Sequence, residues 1–278
     1  MSAVTQAKPV RIVEADAHEG PVYVEAEHAL YFTTRRPRVD VKRLDLGTLD
    51  VTLVRADANV ANGMAPFGDG RLLVCEQHPA AVTLLDPATG ETEVLADSWN
   101  GLPLNSPNDV VRRSDGSVWF TDPSYGFLQG FRPEPEVADS VYRYDPESGA
   151  LEVAAGSFDK PNGIAFSPDE SILYVADNGA PHHIVAFDVL DGRRLGPGRP
   201  FALSTPAHPD GLKVDAAGNV YASSAGGIQV LNPAGDRIDE IELPGAVNFT
   251  FGGTDRDVLY VTSDDAVWAV QLDTRGAP

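Results

Sequence analysis

Six short apolar runs with strand character recur along the chain, and their spacing limits the folds that it can adopt. Their centres lie 42, 46, 55, 47 and 39 residues apart. A loose period of this size is typical of the four-stranded blades of a β-propeller. Turns rich in Gly, Asp, Ser or Pro precede the runs, as at 114–117 before 118–120. The six centres are Tyr31, Leu73, Trp119, Tyr174, Tyr221 and Tyr260.

The repeat predicts an all-β fold, since no stretch shows sustained helical periodicity. We expect one six-bladed β-propeller domain over residues 1–278, with four antiparallel strands in each blade and residues 1–9 as a loose tail. Residues 10–15 are expected to add an outer strand to the last blade and so close the ring. In such a blade the start of the first strand and the end of the second share a face, so functional groups are expected there.

A polar residue stands eleven or twelve positions before each centre. If the six units surround one axis, these side chains meet at one end of it as two carboxylates and four amides. Such oxygens are the ligands of hard divalent cations such as calcium. Turn chemistry alone would explain one copy, but not six in register. These residues, called the polar ring below, are Glu19, Asn62, Asn108, Asn162, Asp210 and Asn248.

Composition narrows the possible partners and the compartment. The formal net charge is −20, without a run of Lys or Arg, which argues against nucleic acid and anionic membranes as partners. Cys75 is the single cysteine, so no intrachain disulfide can form, and its apolar strand predicts a buried side chain rather than a nucleophile. The N-terminal residues lack the pattern of a secretory signal. We expect a cytoplasmic protein that is a monomer or a weak homo-oligomer.

Four segments, at 18–34, 104–126, 160–178 and 208–223, carry the motifs EGP, PND, PNG and PDG. Together they resemble the SMP-30/gluconolactonase/LRE-like family of six-bladed propellers, and the resemblance covers nearly the full chain. It implies a hydrolase that opens lactones, with one divalent ion on the axis. In this family the ion is usually calcium, and in some members zinc, manganese or iron(II). A ligand set made only of oxygen favours calcium.

The resemblance implies roles for particular residues. Glu19, Asn162 and Asp210 match the family's three protein ligands of the metal, and Asn108 matches a residue that either joins the metal or contacts substrate. Asn62 and Asn248 do not belong to that set and are expected to line the pocket. One departure lies at residues 77–79, where relatives often carry a His-Gly pair. That departure leaves the identity of the substrate open.

The expected chemistry is attack of an activated water on a polarised lactone carbonyl. Asp210 is predicted to act as the general base or to orient the water, with Asn108 as a second catalytic residue. Three other functions stay open. They are hydrolysis of phosphotriesters or fluorophosphates at the same site, a non-catalytic binding propeller, and a metal-free propeller that resembles strictosidine synthase.

Further residues are expected near the substrate because they follow the second strands of their blades. The insertion at 120–140 is either a lid over the site or a surface excursion without a role. His208, Asp122, Arg35 and Arg36 have both a functional and a purely structural interpretation. Tyr125 and His182 follow second strands and are predicted to contact substrate, together with the polar-ring residues Asn62 and Asn248.

Overall fold

A computed structural model of the 278-residue chain describes residues 8–180, 182–203 and 208–277. Nearly all regular structure is β-strand, in six small antiparallel sheets and one short two-stranded ribbon. The fold is therefore the predicted six-bladed propeller. Of the expected tail at 1–9, residues 1–7 lie outside the described residues. Within the described residues, no helix is both long and apolar enough to cross a membrane.

Blades 1 to 3 follow one another along the chain as four-stranded meanders. The first strand of the chain, β1 (Val10–Ala17), belongs to the last blade. Blade 1 contains β2 (Glu19–Val24), β3 (Ala29–Thr33), β4 (Val41–Asp45) and β5 (Val51–Arg55). Blade 2 contains β6 (Ala61–Pro66), β7 (Leu72–Gln77), β8 (Ala80–Leu85) and β9 (Thr92–Ala96). The ribbon of β10 (Ser98–Trp99) and β11 (Leu102–Pro103) precedes blade 3, which contains β12 (Val110–Arg112), β13 (Val118–Asp122), β14 (Ser140–Asp145) and β15 (Ala150–Ala155).

Blades 4 to 6 repeat the plan, with one addition in blade 4. There the outer strand is β20, which pairs with β18, while the short β19 pairs with the far end of β18. Blade 4 contains β16 (Pro161–Phe166), β17 (Ile172–Asp177), β18 (His183–Leu190), β19 (Arg194–Leu195) and β20 (Arg199–Leu203). Blade 5 contains β21 (Leu212–Val214), β22 (Val220–Ser224), β23 (Gly227–Leu231) and β24 (Arg237–Glu242). Blade 6 contains β25 (Asn248–Gly252), β26 (Val258–Thr262) and β27 (Asp264–Gln271).

The ring closes as the sequence predicted. Strand β1 pairs antiparallel with β27 as the outermost strand of blade 6, so the two ends of the chain complete one sheet. The six inner strands contact one another in a closed cycle, from β2 through β6, β12, β16, β21 and β25 back to β2. The inner strands therefore surround one axis. The side chains at the start of these strands are brought together at one end of it.

Six hydrophobic clusters hold the blades together, one at each interface between neighbouring blades. Each of the six run centres lies in a different cluster, and Trp119 and Tyr221 among them are fully buried. Burial of one large apolar side chain contributes about 1.5–3 kcal/mol. The repeated aromatic or aliphatic centre is thus the residue that joins one blade to the next.

In the part of the chain that the structure describes, helical structure is limited to two short segments between strands. A single turn of 3₁₀-helix covers Glu25–Glu27 in the β2–β3 connection. The α-helix α1 (Tyr125–Leu128) lies in the insertion that follows β13. This insertion distinguishes blade 3 from the other blades at the end of the propeller where the inner strands begin.

Candidate active site

The polar ring lies at the start of the six inner strands. Glu19 and Asn248 are the first residues of β2 and β25, while Asn62 and Asn162 are the second residues of β6 and β16. The other two ring residues, Asn108 and Asp210, stand two positions before β12 and β21. Four members are buried and the other two are partly buried. The buried members are Glu19, Asn108, Asn162 and Asn248.

Hydrogen bonds link the members of the polar ring across blade boundaries. Asn248 Nδ2 donates to Glu19 Oε2 at 2.7 Å, so blade 6 positions the carboxylate of blade 1. Asn62 Nδ2 donates to the backbone oxygen of Asn108 at 3.2 Å. Asn162 hydrogen-bonds to the Asp210 carboxylate, which joins blades 4 and 5. The structure therefore brings the predicted ring together through contacts between its members.

Close backbone packing explains why a glycine follows the ring residue in several blades. A Cβ atom on Gly163 would lie 2.2 Å from the backbone oxygen of Asp210, to which the Gly163 N–H donates a hydrogen bond at 3.0 Å. A Cβ atom on Gly20 would lie 2.3 Å from the oxygen of Asn62. Contacts this short exclude any side chain at these positions. The blades approach closely enough here to hold the ring residues in a fixed geometry.

Asp109 is a buried carboxylate in the ring region that the sequence analysis missed. It follows Asn108 at the position where four of the other five blades have glycine, and its Oδ2 atom is buried without a hydrogen-bond partner among the described residues. Burial raises the pKa of Asp109, while the charge of Lys213 lowers it. The signal was visible in the sequence as an Asp in place of a Gly within the repeat.

The electrostatics of the ring are those of crowded, buried carboxylates. Burial raises the pKa of Asp210 well above its usual range, and the nearby charges of Glu19 and Asp109 raise it further. Burial likewise raises the pKa of Glu19, although His18 and the hydrogen bond from Asn248 act in the opposite direction. A positive charge at the centre of the ring would stabilise both ionised carboxylates.

The insertion after β13 folds back over the ring and places Tyr125 beside it. Asn162 Nδ2 and Tyr125 OH lie 3.2 Å apart, and burial raises the pKa of this tyrosine. The N–H of Gly126 donates to Ser106 Oγ at 2.8 Å, and Arg132 donates to the backbone oxygens of residues 104 and 105. These contacts fix the insertion against the segment that carries Asn108.

Asp122 supports this arrangement from below and does not face the ring. It is fully buried, and its two carboxylate oxygens accept the backbone N–H groups of Asn105 and Ser106 at 2.8 and 2.7 Å. Burial raises the pKa of Asp122 to about 7. Of its two interpretations, the structural one agrees with these contacts.

The geometry agrees with the sequence comparison. The SMP-30/gluconolactonase/LRE-like region matches residues 17–265, which is most of the chain and includes the whole polar ring. The chain belongs to this family. The resemblance inferred from the four motifs is thereby confirmed.

Several characterised relatives of this SMP-30 family protein are lactonases. Lactonohydrolase oryL of Aspergillus oryzae is 29% identical over 95% of this chain and 70% of its own length. A gluconolactonase of Zymomonas mobilis is 28% identical over 96% of this chain and 82% of its own length. The structure of a Xanthomonas campestris gluconolactonase is 33% identical with a TM-score of 0.90, covering 97% of this chain and 91% of that one. A calcium-binding regucalcin of Agrobacterium tumefaciens, 21% identical with a TM-score of 0.81 over 99% and 97% of the two chains, shares the fold.

Two histidines lie near the ring, beyond Tyr125. The Nδ1 atoms of His182 and His208 are 3.0 Å apart, and both lie within 3.3 Å of the backbone oxygen of Asn178. The side chain of Asn178 hydrogen-bonds to Tyr125, which connects this pair to the ring indirectly. The predicted contact of His182 with substrate would therefore occur at the rim of the site.

Other candidates from the sequence contact side chains that are not members of the polar ring. Arg35 Nε pairs with Asp16 Oδ1 at 3.0 Å, and Arg36 lies over the ring of Phe131 at 4.9 Å. Cys75 is fully buried, as predicted, and burial raises its pKa well above the usual value. Within the described residues, no three side chains of His, Cys, Asp or Glu converge as a metal site. The candidate metal centre therefore depends on the amide oxygens of the ring as well as its carboxylates.

Proposed function

We propose that this protein hydrolyses a small lactone, foremost a sugar lactone, in a reaction that depends on one divalent cation held in the polar ring. The proposed ligands are Glu19, Asn108, Asn162 and Asp210. Lactonases among the relatives support the reaction class. The oxygen-only donor set favours calcium, with zinc, manganese or iron(II) as alternatives.

One observation carries the proposal of a cation in particular. The Oδ1 atom of Asn108 is buried and has no hydrogen-bond partner among the described residues. Leaving a buried polar atom unsatisfied costs about 1–3 kcal/mol, so such atoms in native folds require a reason. This oxygen lies in a ring with two carboxylates whose pKa values are raised by burial and, to a smaller extent, by neighbouring carboxylates that include Asp109. A cation would satisfy the amide oxygen and both carboxylates together, so the residues present fit the group.

When bound, a divalent cation supplies a Lewis acid for the lactone carbonyl and acidifies nearby water. Asp210 accepts a proton from the attacking water as its oxygen adds to the carbonyl carbon. The ester bond of the lactone ring then breaks, and Asp210 returns the proton to the departing ring oxygen, which gives a hydroxy acid. Asn248 holds Glu19 in place through its amide hydrogen bond.

Substrate positioning is proposed for the residues around the ring. Tyr125 OH, held beside Asn162, is placed to donate a hydrogen bond to a substrate oxygen. Asn62 and Asn248, which belong to the polar ring, line the substrate pocket. His182 contacts the part of the substrate that lies at the rim of the site. Misplacing a reacting group costs rate even where the chemistry is intact, so these residues act on orientation.

The proposal is tested with a panel of sugar and aliphatic lactones in a pH-indicator assay. Protein stripped with EDTA is compared with samples restored with calcium, zinc, manganese or iron(II). We expect acid release only in the restored samples, with the largest rate for one metal and one lactone class. Glu19→Gln should abolish this activity. Glu14→Gln, at an exposed glutamate of β1, is the matched control and should leave the activity unchanged.

Three results would overturn the proposal. Full activity after metal removal would disprove the role of the cation. Tight metal binding without hydrolysis of any lactone would move the assignment to phosphotriesters, which the same cation and water could hydrolyse. Absence of both metal binding and turnover would favour a binding propeller.

A further inference from the structure

A large cavity lies at the end of the axis opposite the polar ring. Its volume is about 710 Å³, within the range of about 300–1,000 Å³ that small-molecule sites occupy. All six inner strands contribute to its wall, and in each strand the lining residue follows the ring residue by two or three positions. The cavity therefore shares the axis of the ring and opens on the other face. One lining residue from each strand is Val22, Met64, Val110, Ile164, Lys213 and Thr250.

Of the four basic residues that line this cavity, Arg112, Lys213 and Arg256 form no salt bridge among the described residues, and Arg112 lies over the ring of Phe67. Lys213 is partly buried, and its Nζ donates to the backbone oxygen of Leu212 at 3.1 Å. Arg256 is also partly buried, and burial lowers the pKa of its guanidinium. By contrast, Arg113 lines the same cavity and is paired with Asp115 and Glu170. In a chain with a net charge of −20, three cations without a salt bridge in one cavity stand out, and of these Lys213 also acts through its charge on the buried Asp109.

The acidic residues at the cavity are mostly engaged elsewhere. Asp169 accepts hydrogen bonds from the hydroxyls of Ser167 and Ser171, and Glu170 accepts from Ser114 and pairs with Arg113. Glu25, exposed at the rim, is the acidic group whose charge acts on Arg256.

We propose that this cavity is a second ligand site, for a small organic anion that carries a carboxylate or a phosphate group. Lys213, inside the cavity, and Arg256, at its rim, donate charge-assisted hydrogen bonds to the anionic group of the ligand. The apolar walls, from Val22, Phe166 and Phe251, contact the carbon skeleton of the ligand. The site is separate from the proposed lactonase centre, so each can fail without the other.

The test is isothermal titration calorimetry on the full chain with calcium present. Benzoate and phenyl phosphate are the probes, because they share one apolar ring and differ in the anionic group. Benzamide is the neutral control. We expect one equivalent of at least one anion to bind, and benzamide to bind at least about tenfold more weakly, since a charged partner strengthens each hydrogen bond.

Variants locate the binding on the cavity. Lys213→Met and Arg256→Gln should each weaken anion binding by about tenfold or more. Arg256→Gln keeps the proposal testable should Lys213→Met fail to fold, because Lys213 also acts on the buried Asp109 and Arg256 does not. Lys8→Met, at an exposed lysine before β1, should bind like the wild type. Binding should also persist in Glu19→Gln, which excludes the polar ring as the source.

Two outcomes would overturn the proposal. Failure of both anions to bind the wild type above the benzamide control would leave the cavity as a solvent-filled end of the axis. Unchanged affinity in both Lys213→Met and Arg256→Gln would place the bound anion elsewhere on the protein.

Discussion

The two ends of the six inner strands differ although the same strands form both. At the first end the backbones approach so closely that a Cβ on Gly163 would meet the Asp210 oxygen at 2.2 Å, and buried carboxylates and amides converge. At the other end the strands leave a cavity of about 710 Å³ with Lys213 and Arg256 in its wall. The fold brings six strands together at both ends, and the side chains at each end are the basis for proposing a cation site at one and an anion site at the other.

The largest expected effect concerns the carboxylate at the ring end. Asp210→Asn should lower kcat/KM for the preferred lactone by about 10²–10⁴-fold, because it removes a proton acceptor and a negative charge. The exposed Asp273→Asn, outside the polar ring, should change the rate by less than about twofold. Both variants are measured by steady-state kinetics with the metal present. Near-normal turnover of Asp210→Asn would contradict a catalytic role for the ring end.

The second prediction compares carboxylates at the two ends by their titration. Asp122, which supports the ring end, has its pKa raised to about 7 by burial. Asp169, at the cavity, has its pKa lowered to about 2 by hydrogen bonds from Ser167 and Ser171. NMR of ¹³C-labelled aspartate carboxyls should show one group titrating near pH 7 and another staying charged down to about pH 2. Assignment follows from Asp122→Asn and Asp169→Asn.

These pKa shifts predict opposite contributions to stability. The contribution of Asp122 is fully present below the unfolded pKa of about 3.8 and is lost as pH rises to about 7. The contribution of Asp169 is present above about 3.8 and is lost as pH falls towards 2. Denaturant melts from pH 3.5 to 8 should therefore show a flatter decline with rising pH in Asp122→Asn. An identical pH profile for wild type and Asp122→Asn would contradict the assignment.

The third prediction concerns the close packing of the ring end. Gly163→Ala should destabilise the fold by about 1–3 kcal/mol, since the new methyl group overlaps the backbone of blade 5. Gly156→Ala is the control, because its Cβ would meet only Ser140 Oγ at 3.8 Å. Urea denaturation measures both. Equal midpoints for the two variants would mean that the blades are not in tight contact at the ring.

The smallest effect is expected from one hydroxyl above the ring. Tyr125→Phe should lower kcat/KM by about tenfold, the value of one lost hydrogen bond to substrate, with little change in stability. Tyr144→Phe, on the side of blade 3 away from the ring, should have no effect on turnover. If the two variants show the same kinetics as wild type, the insertion at 120–140 does not contact substrate through Tyr125.

The fold could be predicted because the residues that repeat in the sequence are the residues that pack between neighbouring blades. Each run centre, such as Leu73 or Tyr260, lies at its own blade interface, so a periodic sequence produces a periodic core. The closing strand β1 and the convergence of the polar ring follow from the same regularity. The five-stranded form of blade 4 was not predicted, since the pairing of β19 depends on a local hairpin within an otherwise regular unit.

The parts that escaped prediction depend on contacts between distant segments. Asp122 looked like a pocket residue because it ends a second strand, but its carboxylate is occupied by backbone N–H groups of 105 and 106. Asp109 was overlooked because only the adjacent Asn108 belongs to the repeating pattern of polar residues. The sequence could not show whether Lys213 and Arg256 form salt bridges. Arg113 lines the same cavity and pairs with Glu170, and only the folded structure shows which basic side chain reaches an acidic one.

The most direct test of the central claim follows calcium occupancy and lactone hydrolysis in one titration. Stripped wild-type protein receives increasing calcium while calorimetry reports binding and a parallel assay reports gluconolactone turnover. We predict one tightly bound equivalent, with turnover rising in proportion to its occupancy, and loss of both in Glu19→Gln but not in Glu14→Gln. Turnover that is complete before calcium is added, or calcium binding that is unchanged in Glu19→Gln, would contradict the account.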